Sequence, residues 1–214
     1  MASGLHIAVC ILYVIAFILE VVTVFLPYWK RNDLEDTLND SIVRHEGLWI
    51  RCQTFATGNW DCDDFNRFFL GLPTELQAAR GFSLSSLFIS FIGICLAVAA
   101  TVLSVKSLQN KLTIASGGAS MLAGLLIIAA VSWYANDIRI QHEYLTRLRL
   151  TGGSGTRYTF GYALFLGWVG GALQVVGSIM ALCISCGNSD EEDIPPTYRY
   201  HPTKSTLAPS QEYV

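Results

Sequence analysis

Apolar residues fall in four long blocks along the chain, and the charges fall between them. The blocks cover residues 7–28, 81–105, 112–134 and 162–185. A bilayer core about 30 Å thick needs about 20 apolar residues at a helical rise of 1.5 Å per residue, and each block meets that length. Hydrocarbon offers no water to pair with backbone N–H and C=O groups, so each block is predicted to be a helix. The first block has no basic segment before it, is long for a signal peptide, and is followed by no small-residue cleavage site. It is therefore read as a retained span. The expected fold is a membrane all-α four-helix transmembrane bundle. Its connections are 29–80, 106–111 and 135–161, with 1–6 and 186–214 as the ends.

Within the blocks, Ser116, Ser120 and Gly124 recur at four-residue spacing, and Gly167 and Gly171 form a G-x-x-x-G. Such stripes let helix backbones approach closely, and they are read as packing faces. Glu20 lies inside the first block and Gln174 inside the fourth. A carboxyl in hydrocarbon faces a bundle interior or a cavity. Two readings stand: a conduction path, or a protonated Glu20 hydrogen-bonded to a neighbouring helix, with Gln174 as a candidate partner.

Composition sharpens this picture. The 214 residues are 52% hydrophobic and only 14% charged, far less charge than a water-soluble domain of this size carries. The net charge of −3 comes without a Lys/Arg run or an aromatic-basic stripe, so nucleic acid is not an expected partner. The four His are scattered, and no H-E-x-x-H, G-x-S-x-G or P-loop occurs. No enzyme activity, cofactor or metal is expected. Of six cysteines, Cys10, Cys95, Cys183 and Cys186 lie in or beside the apolar blocks, and only Cys52 and Cys62 sit in a polar region.

Orientation is read from conflicting charges. Lys106 and Lys111 argue that the short second connection is cytoplasmic, whereas Arg139, Arg147, Arg149 and Arg157 in the third argue the reverse. Cys52 and Cys62 look like a loop-closing disulfide, which needs an oxidising compartment. Asn39-Asp40-Ser41 is a glycosylation sequon in the same connection. The chain also ends in a motif read by cytoplasmic domains. The first and third connections are therefore placed outside, with both ends in the cytoplasm.

The first outer connection closes a short loop between Cys52 and Cys62, which removes about 3 kcal/mol of unfolded-state freedom. Gly58-Asn59 between them is a turn signal, and the stretch fits a stapled β-hairpin. Tryptophans on either side suit a membrane interface or the underside of a sheet.

Trp29 followed by Gly47-Leu48-Trp49-Ile50-Arg51-Cys52, nine residues and Cys62 closely resembles the claudin family of four-span membrane proteins. Residues 72–80, ending in Arg80, look like that family's stretch leading into its second helix. Trp133-Tyr134-Ala135-Asn136 looks like the end of its third helix, and residues 158–168 like the start of its fourth. The interval from Cys62 to Arg80 is one residue longer than usual, and Thr159 stands where the family often has glutamate. Thr151-Gly152-Gly153-Ser154-Gly155 reads as a flexible tip or a linker.

The resemblance implies a small extracellular antiparallel β-sheet, four strands from the first outer connection and one from the second, standing on the bundle. It implies a plasma-membrane protein of tight junctions that polymerises with itself and other claudins side by side and pairs head-to-head between cells. The strands so formed seal the paracellular space or leave ion-sized pores. Phe68, Phe69 and Leu70 are candidates for side contacts, and Tyr144 and Tyr158 for contacts made by the second connection. Packing within the subunit is the competing reading for each.

Residues 30–80 carry six Lys/Arg against nine Asp/Glu, and Asp61, Asp63 and Asp64 cluster at the second cysteine. Asp63 comes first and Asp64 second as determinants of cation selectivity, since carboxylate rings build cation pathways. A solvated acidic turn is the alternative. The arginines of the other outer connection oppose that field.

Beyond residue 185 the composition is that of a disordered tail, with Asp190-Glu191-Glu192-Asp193 and Pro195-Pro196. Tyr213-Val214 at its end suits a PDZ groove of a junctional scaffold, where the terminal carboxylate is held by backbone amides and Val fills a pocket. Cys183 and Cys186 at the inner membrane edge are candidates for palmitoylation, with unmodified thiols as the alternative. A rival function is an auxiliary subunit of an ion channel or receptor, or a myelin- or lens-type adhesion protein, since related four-span families share the G-L-W and cysteine pattern.

Overall fold

The computed structural model describes residues 2–33, 42–55, 57–64, 73–103, 105–152 and 155–192. It contains helices α1 (Ala2–Phe25), α2 (Thr74–Val102), α3 (Lys106–Leu150) and α4 (Tyr162–Glu192). Five strands accompany them: β1 (Lys30–Asn32), β2 (Ile42–Glu46), β3 (Ile50–Phe55), β4 (Trp60–Asp64) and β5 (Tyr158–Phe160). All four helices are long and apolar enough to cross a membrane. Consecutive helices pack together, and α4 closes the ring on α1.

Local chemistry sets the helix ends. The last bond of α1 runs from the Leu26 N–H to the Val22 carbonyl, and Pro27 then supplies no donor. Pro73 caps α2, its carbonyl accepting from the amides of Leu76 and Gln77. The connection between α2 and α3 falls between Val102 and Lys106. The segment 106–111, read from sequence as a hairpin, forms the first turns of α3.

The largest departure from the sequence reading is α3 itself. It was expected to end at 134, yet it continues without a break to Leu150. Its 45 residues correspond to about 68 Å at 1.5 Å per residue, roughly twice a bilayer core. Between Gly124 and Gly152 the chain has neither Gly nor Pro, so nothing stops the helix where the lipid-facing hydropathy falls. It stops where Gly152 takes a left-handed φ of 87° and donates to the Arg149 carbonyl, with Arg147 and Arg149 favourably placed in the last turn. Similarly, α2 begins at Thr74 rather than 81, and α4 runs on to Glu192 past residue 185.

The packing faces read from sequence seat real contacts. A Cβ on Gly124 would lie 2.9 Å from the Gly171 carbonyl oxygen, so α3 and α4 touch backbone to backbone there. Glu20 and Gln174 are both fully buried. Gln174 Nε2 donates to Ser90 Oγ at 2.6 Å, while Ser86 Oγ stands 3.4 Å from Glu20 Oε2 and donates to the Ala123 carbonyl at 2.8 Å. Glu20 and Gln174 therefore meet through α2 and not through a bond to each other.

The strands form one antiparallel sheet in the order β4-β3-β2-β1-β5. Four strands come from the connection between α1 and α2 and one from that between α3 and α4. The three-residue β1 is reinforced by Asn32, whose side chain donates to the Ile42 carbonyl at 2.8 Å and accepts from the Arg44 amide at 3.0 Å. Beyond its end, the Asp33 amide donates to the Arg157 carbonyl and the two side chains pair at 3.4 Å.

Candidate functional site: the sheet and its seat on the bundle

The G-L-W motif and its companions form the joint between sheet and helices. Trp29 is fully buried just beyond Pro27. Its indole N–H donates to the Thr23 carbonyl at 2.7 Å, its ring meets Tyr134 edge-on at 5.2 Å, and its backbone carbonyl accepts from the Gly161 amide. One residue therefore ties α1, α3 and the approach to α4 together. Gly47 is required by space: a Cβ there would fall 2.6 Å from Pro27 Cα and 2.7 Å from the Leu26 carbonyl oxygen. Leu48 is buried beside it, and its carbonyl accepts from Arg80 Nε at 2.8 Å. The Arg80 guanidinium also lies over the Trp49 ring, 4.7 Å from its centroid. Arg80 is only 1% exposed, and the motif carbonyl and ring both meet its charge there.

Cys52 and Cys62 are disulfide-bonded directly across the β3–β4 pair, with Cα atoms 4.1 Å apart. The hairpin turns at Gly58, whose φ is 81°. Among the described strands β4 lies at the edge, paired to β3 alone, so the bridge is a covalent hold on it. Cys52→Ala is expected to remove about 3 kcal/mol, read as loss of cell-surface delivery by surface biotinylation. Normal delivery would show that backbone pairing alone suffices.

The register divides the acidic cluster. Asp61 lies opposite Gln53, Asp63 opposite Arg51 and Asp64 opposite Ile50. Alternation along a strand puts Asp61 and Asp63 on one face and Asp64 on the other, with Cys62 and Trp60. All five β4 residues are exposed. The Asp63 row continues inward, for Arg51 lies opposite Glu46 and Glu46 opposite Lys30. Lys30 Nζ sits 3.0 Å from Glu46 Oε2, whereas Arg51 Nε is 3.7 Å from Glu46 Oε1. The Tyr158 hydroxyl also donates to Glu46 Oε1, at 3.2 Å. Burial and the Glu46 carboxylate push the Tyr158 phenol up to about 12, so it stays a donor. Burial and then nearby Arg31 hold the His45 imidazole below its usual value.

Two hollows flank this face. One of about 130 Å³ is lined by Lys30, Glu46 and Arg51 from the sheet and by Glu75, Tyr134 and Asp137 from the helices. The other, about 290 Å³, runs between β5 and the outer part of α3, past Ile138, His142, Tyr158 and Phe160. His142 Nδ1 lies 3.0 Å from the Tyr158 carbonyl oxygen and holds the two elements together.

Tyr144 is 65% exposed on the projecting part of α3, a helix and not the loop expected there. Cys183 and Cys186 are exposed on α4. Asn39, Phe68, Phe69, Leu70, Tyr213 and Val214 lie outside the described residues. The sequence reading missed Lys30, Glu46 and Arg51 as a unit, since only the strand register aligns them. It also passed over Trp60, 65% exposed at the hairpin, although a Trp beside a turn in a polar loop was a visible signal.

The profile of the PMP-22/EMP/MP20/Claudin family matches residues 3–181. Among individual relatives, claudin-18 of Bos taurus is 33% identical over 200 residues, covering 88% of this chain and 76% of its own length. Claudin-14 of Mus musculus is 33% identical, with 88% and 79% covered. Claudin-3 of Mus musculus is 30% identical over 209 residues, with 95% and 89% covered. The four spans, the bridged sheet and the buried G-L-W joint agree with these similarities, and the chain belongs to the PMP-22/EMP/MP20/Claudin family, as a relative of its claudins.

Proposed function

We propose that this multi-pass membrane protein works at tight junctions of the plasma membrane. There it polymerises with itself and other claudins in one membrane, pairs with the next cell, and favours cations in the space between. The observation that carries this reading is the exposed acidic edge strand β4, held by the disulfide on a sheet that is locked to the bundle. Placing the sheet outside the cell agrees with the oxidised Cys52–Cys62 pair. The groove beside Tyr158 and Phe160 offers an apolar seat for a neighbouring subunit, and the Phe68-Phe69-Leu70 segment is the complementary element in this reading. The exposed Tyr144 projects from the same side of the bundle as the sheet. On the opposite side, Tyr213-Val214 engages PDZ scaffolds, and Cys183 and Cys186 are accessible for palmitoylation. Asn39 is the glycosylation position.

A carboxylate about 4 Å from a passing monovalent cation supplies about 1 kcal/mol in water and about 4 kcal/mol at an effective dielectric of 20. Both exceed thermal energy, so Asp61 and Asp63 suffice for selectivity in a narrow path. Asp64, on the other face, is expected to contribute less. NaCl dilution potentials across an epithelial monolayer expressing the protein test this. A shift toward Na⁺, lost in Asp61→Asn and Asp63→Asn and largely kept in Asp64→Asn, is the expected result. An unchanged potential, with the protein present at cell contacts, points to a sealing claudin or an auxiliary subunit instead.

A further inference from the structure

Asp63 does not stand alone on its face. Reading across the sheet, Lys30, Glu46, Arg51 and Asp63 occupy one transverse row on four adjacent strands. Their charges alternate, positive and negative, from the centre to the open edge. Directly opposed side chains on one sheet face are about 5 Å apart at Cβ, close enough for long charged groups to act on each other.

The row is not evenly paired. Glu46 is the inner hub, with Lys30 at 3.0 Å and the Tyr158 hydroxyl at 3.2 Å, and it is nearly buried. Arg51 approaches the same carboxylate only to 3.7 Å, and about half of its side chain is exposed. Lys30 and Glu46 therefore largely cancel each other. The next two members, Arg51 and Asp63, are the outer pair that a passing ion meets. One register step away, Asp61 faces the neutral Gln53. Arg44, beyond Gln53 in that row, is turned to Thr156, with Nη1 donating to its hydroxyl at 3.2 Å.

We propose that Arg51 sets the charge selectivity of this sheet, as a built-in counter-cation that offsets the carboxylate of Asp63 opposite it. This deepens the junctional reading above and rests on it. Two consequences distinguish the arrangement from a simple acidic cluster. Asp63→Asn lowers cation preference at least as much as Asp61→Asn, since it also leaves Arg51 without the carboxylate opposite it. Removing Arg51 raises cation preference above that of the unaltered protein.

The test is the Na⁺/Cl⁻ permeability ratio from dilution potentials, in monolayers with matched junctional amounts of wild type, Arg51→Gln, Arg51→Lys, Asp61→Asn and Asp63→Asn. Arg51→Gln is expected to raise Na⁺ permeability by about fivefold, the factor that one unit charge at about 4 Å gives in water, and to lower that of Cl⁻, so the ratio rises by more than that factor. Arg51→Lys, which keeps the charge, is expected to stay near wild type and so separates charge from shape. Raising salt in both compartments is expected to shrink the Arg51→Gln effect. If the Asp variants move the ratio and Arg51→Gln does not, the counter-cation role is overturned while the conducting reading stands. If no charge variant moves it in monolayers with well-formed junctions, the conducting reading falls and the role of Arg51 falls with it.

Discussion

Trp29→Ala is expected to be among the most damaging single changes in this chain, destabilising it by about 3–5 kcal/mol. For a protein of this size that lowers the melting temperature by about 10 °C. Among the described residues, the indole is the largest side chain with no exposure at all, and it fills the angle where α1 ends and the sheet begins. Truncation would leave a cavity against Tyr134 and remove the donor that meets the Thr23 carbonyl at 2.7 Å. Trp29→Phe keeps much of the volume and loses only the N–H, and is expected to cost about 1 kcal/mol. Thermal melts in lipid nanodiscs, compared between the two variants, separate packing from hydrogen bonding. Equal losses would mean that the hydrogen bond dominates, contrary to the burial argument.

Arg80→Ala follows closely. A hydrogen bond to a charged group is worth about 1.5–3 kcal/mol, and a desolvated cation over a ring about 2 kcal/mol more. Arg80 makes both kinds of contact, to the Leu48 carbonyl and to the Trp49 ring. These terms are not additive, so about 3 kcal/mol is the expected loss. The expected signature is a mobile sheet on an intact bundle, because Arg80 sits near the start of α2 and holds Leu48 and Trp49 of the sheet joint. Hydrogen exchange should rise in β2 and β3 while the middles of α2 and α3 stay protected. Arg80→Lys keeps the charge but not the planar fork, and should recover only part of the stability. Uniform loss of protection over sheet and helices would refute this local role.

Trp29, Gly47, Leu48, Trp49 and Arg80 act as one device for this reason. Each was legible in the sequence as a motif residue, and none revealed what it touches. Gly47 is glycine because the Leu26–Pro27 backbone passes too close for any side chain. Leu48 contributes its carbonyl as well as its side chain. The sheet borne on this joint is small, and without the joint and the bridge its edge strand would have little to hold it in register.

The four spans were legible because a bilayer imposes a length and a polarity that a single chain records directly, block by block. The disulfide was legible because only two cysteines lie in polar surroundings. The extent of α3 was not legible from hydropathy, which reports contact with lipid and not helicity. The absence of Gly and Pro from 125 to 151 and the Gly152 stop were the signals that carried it. Strand register is a different matter. A shift of one residue between β3 and β4 would place Asp63 opposite a different neighbour and turn its face over. Only the assembled sheet, with the Cys52–Cys62 bridge and the burial of Glu46 against the bundle, selects the pairing that sets Arg51 between Glu46 and Asp63. The sequence by itself thus determined the class of protein, its spans and its joint residues, because these follow from local composition and spacing. The tertiary structure alone decided which charges stand together on one face, because that depends on contacts between strands remote in the chain.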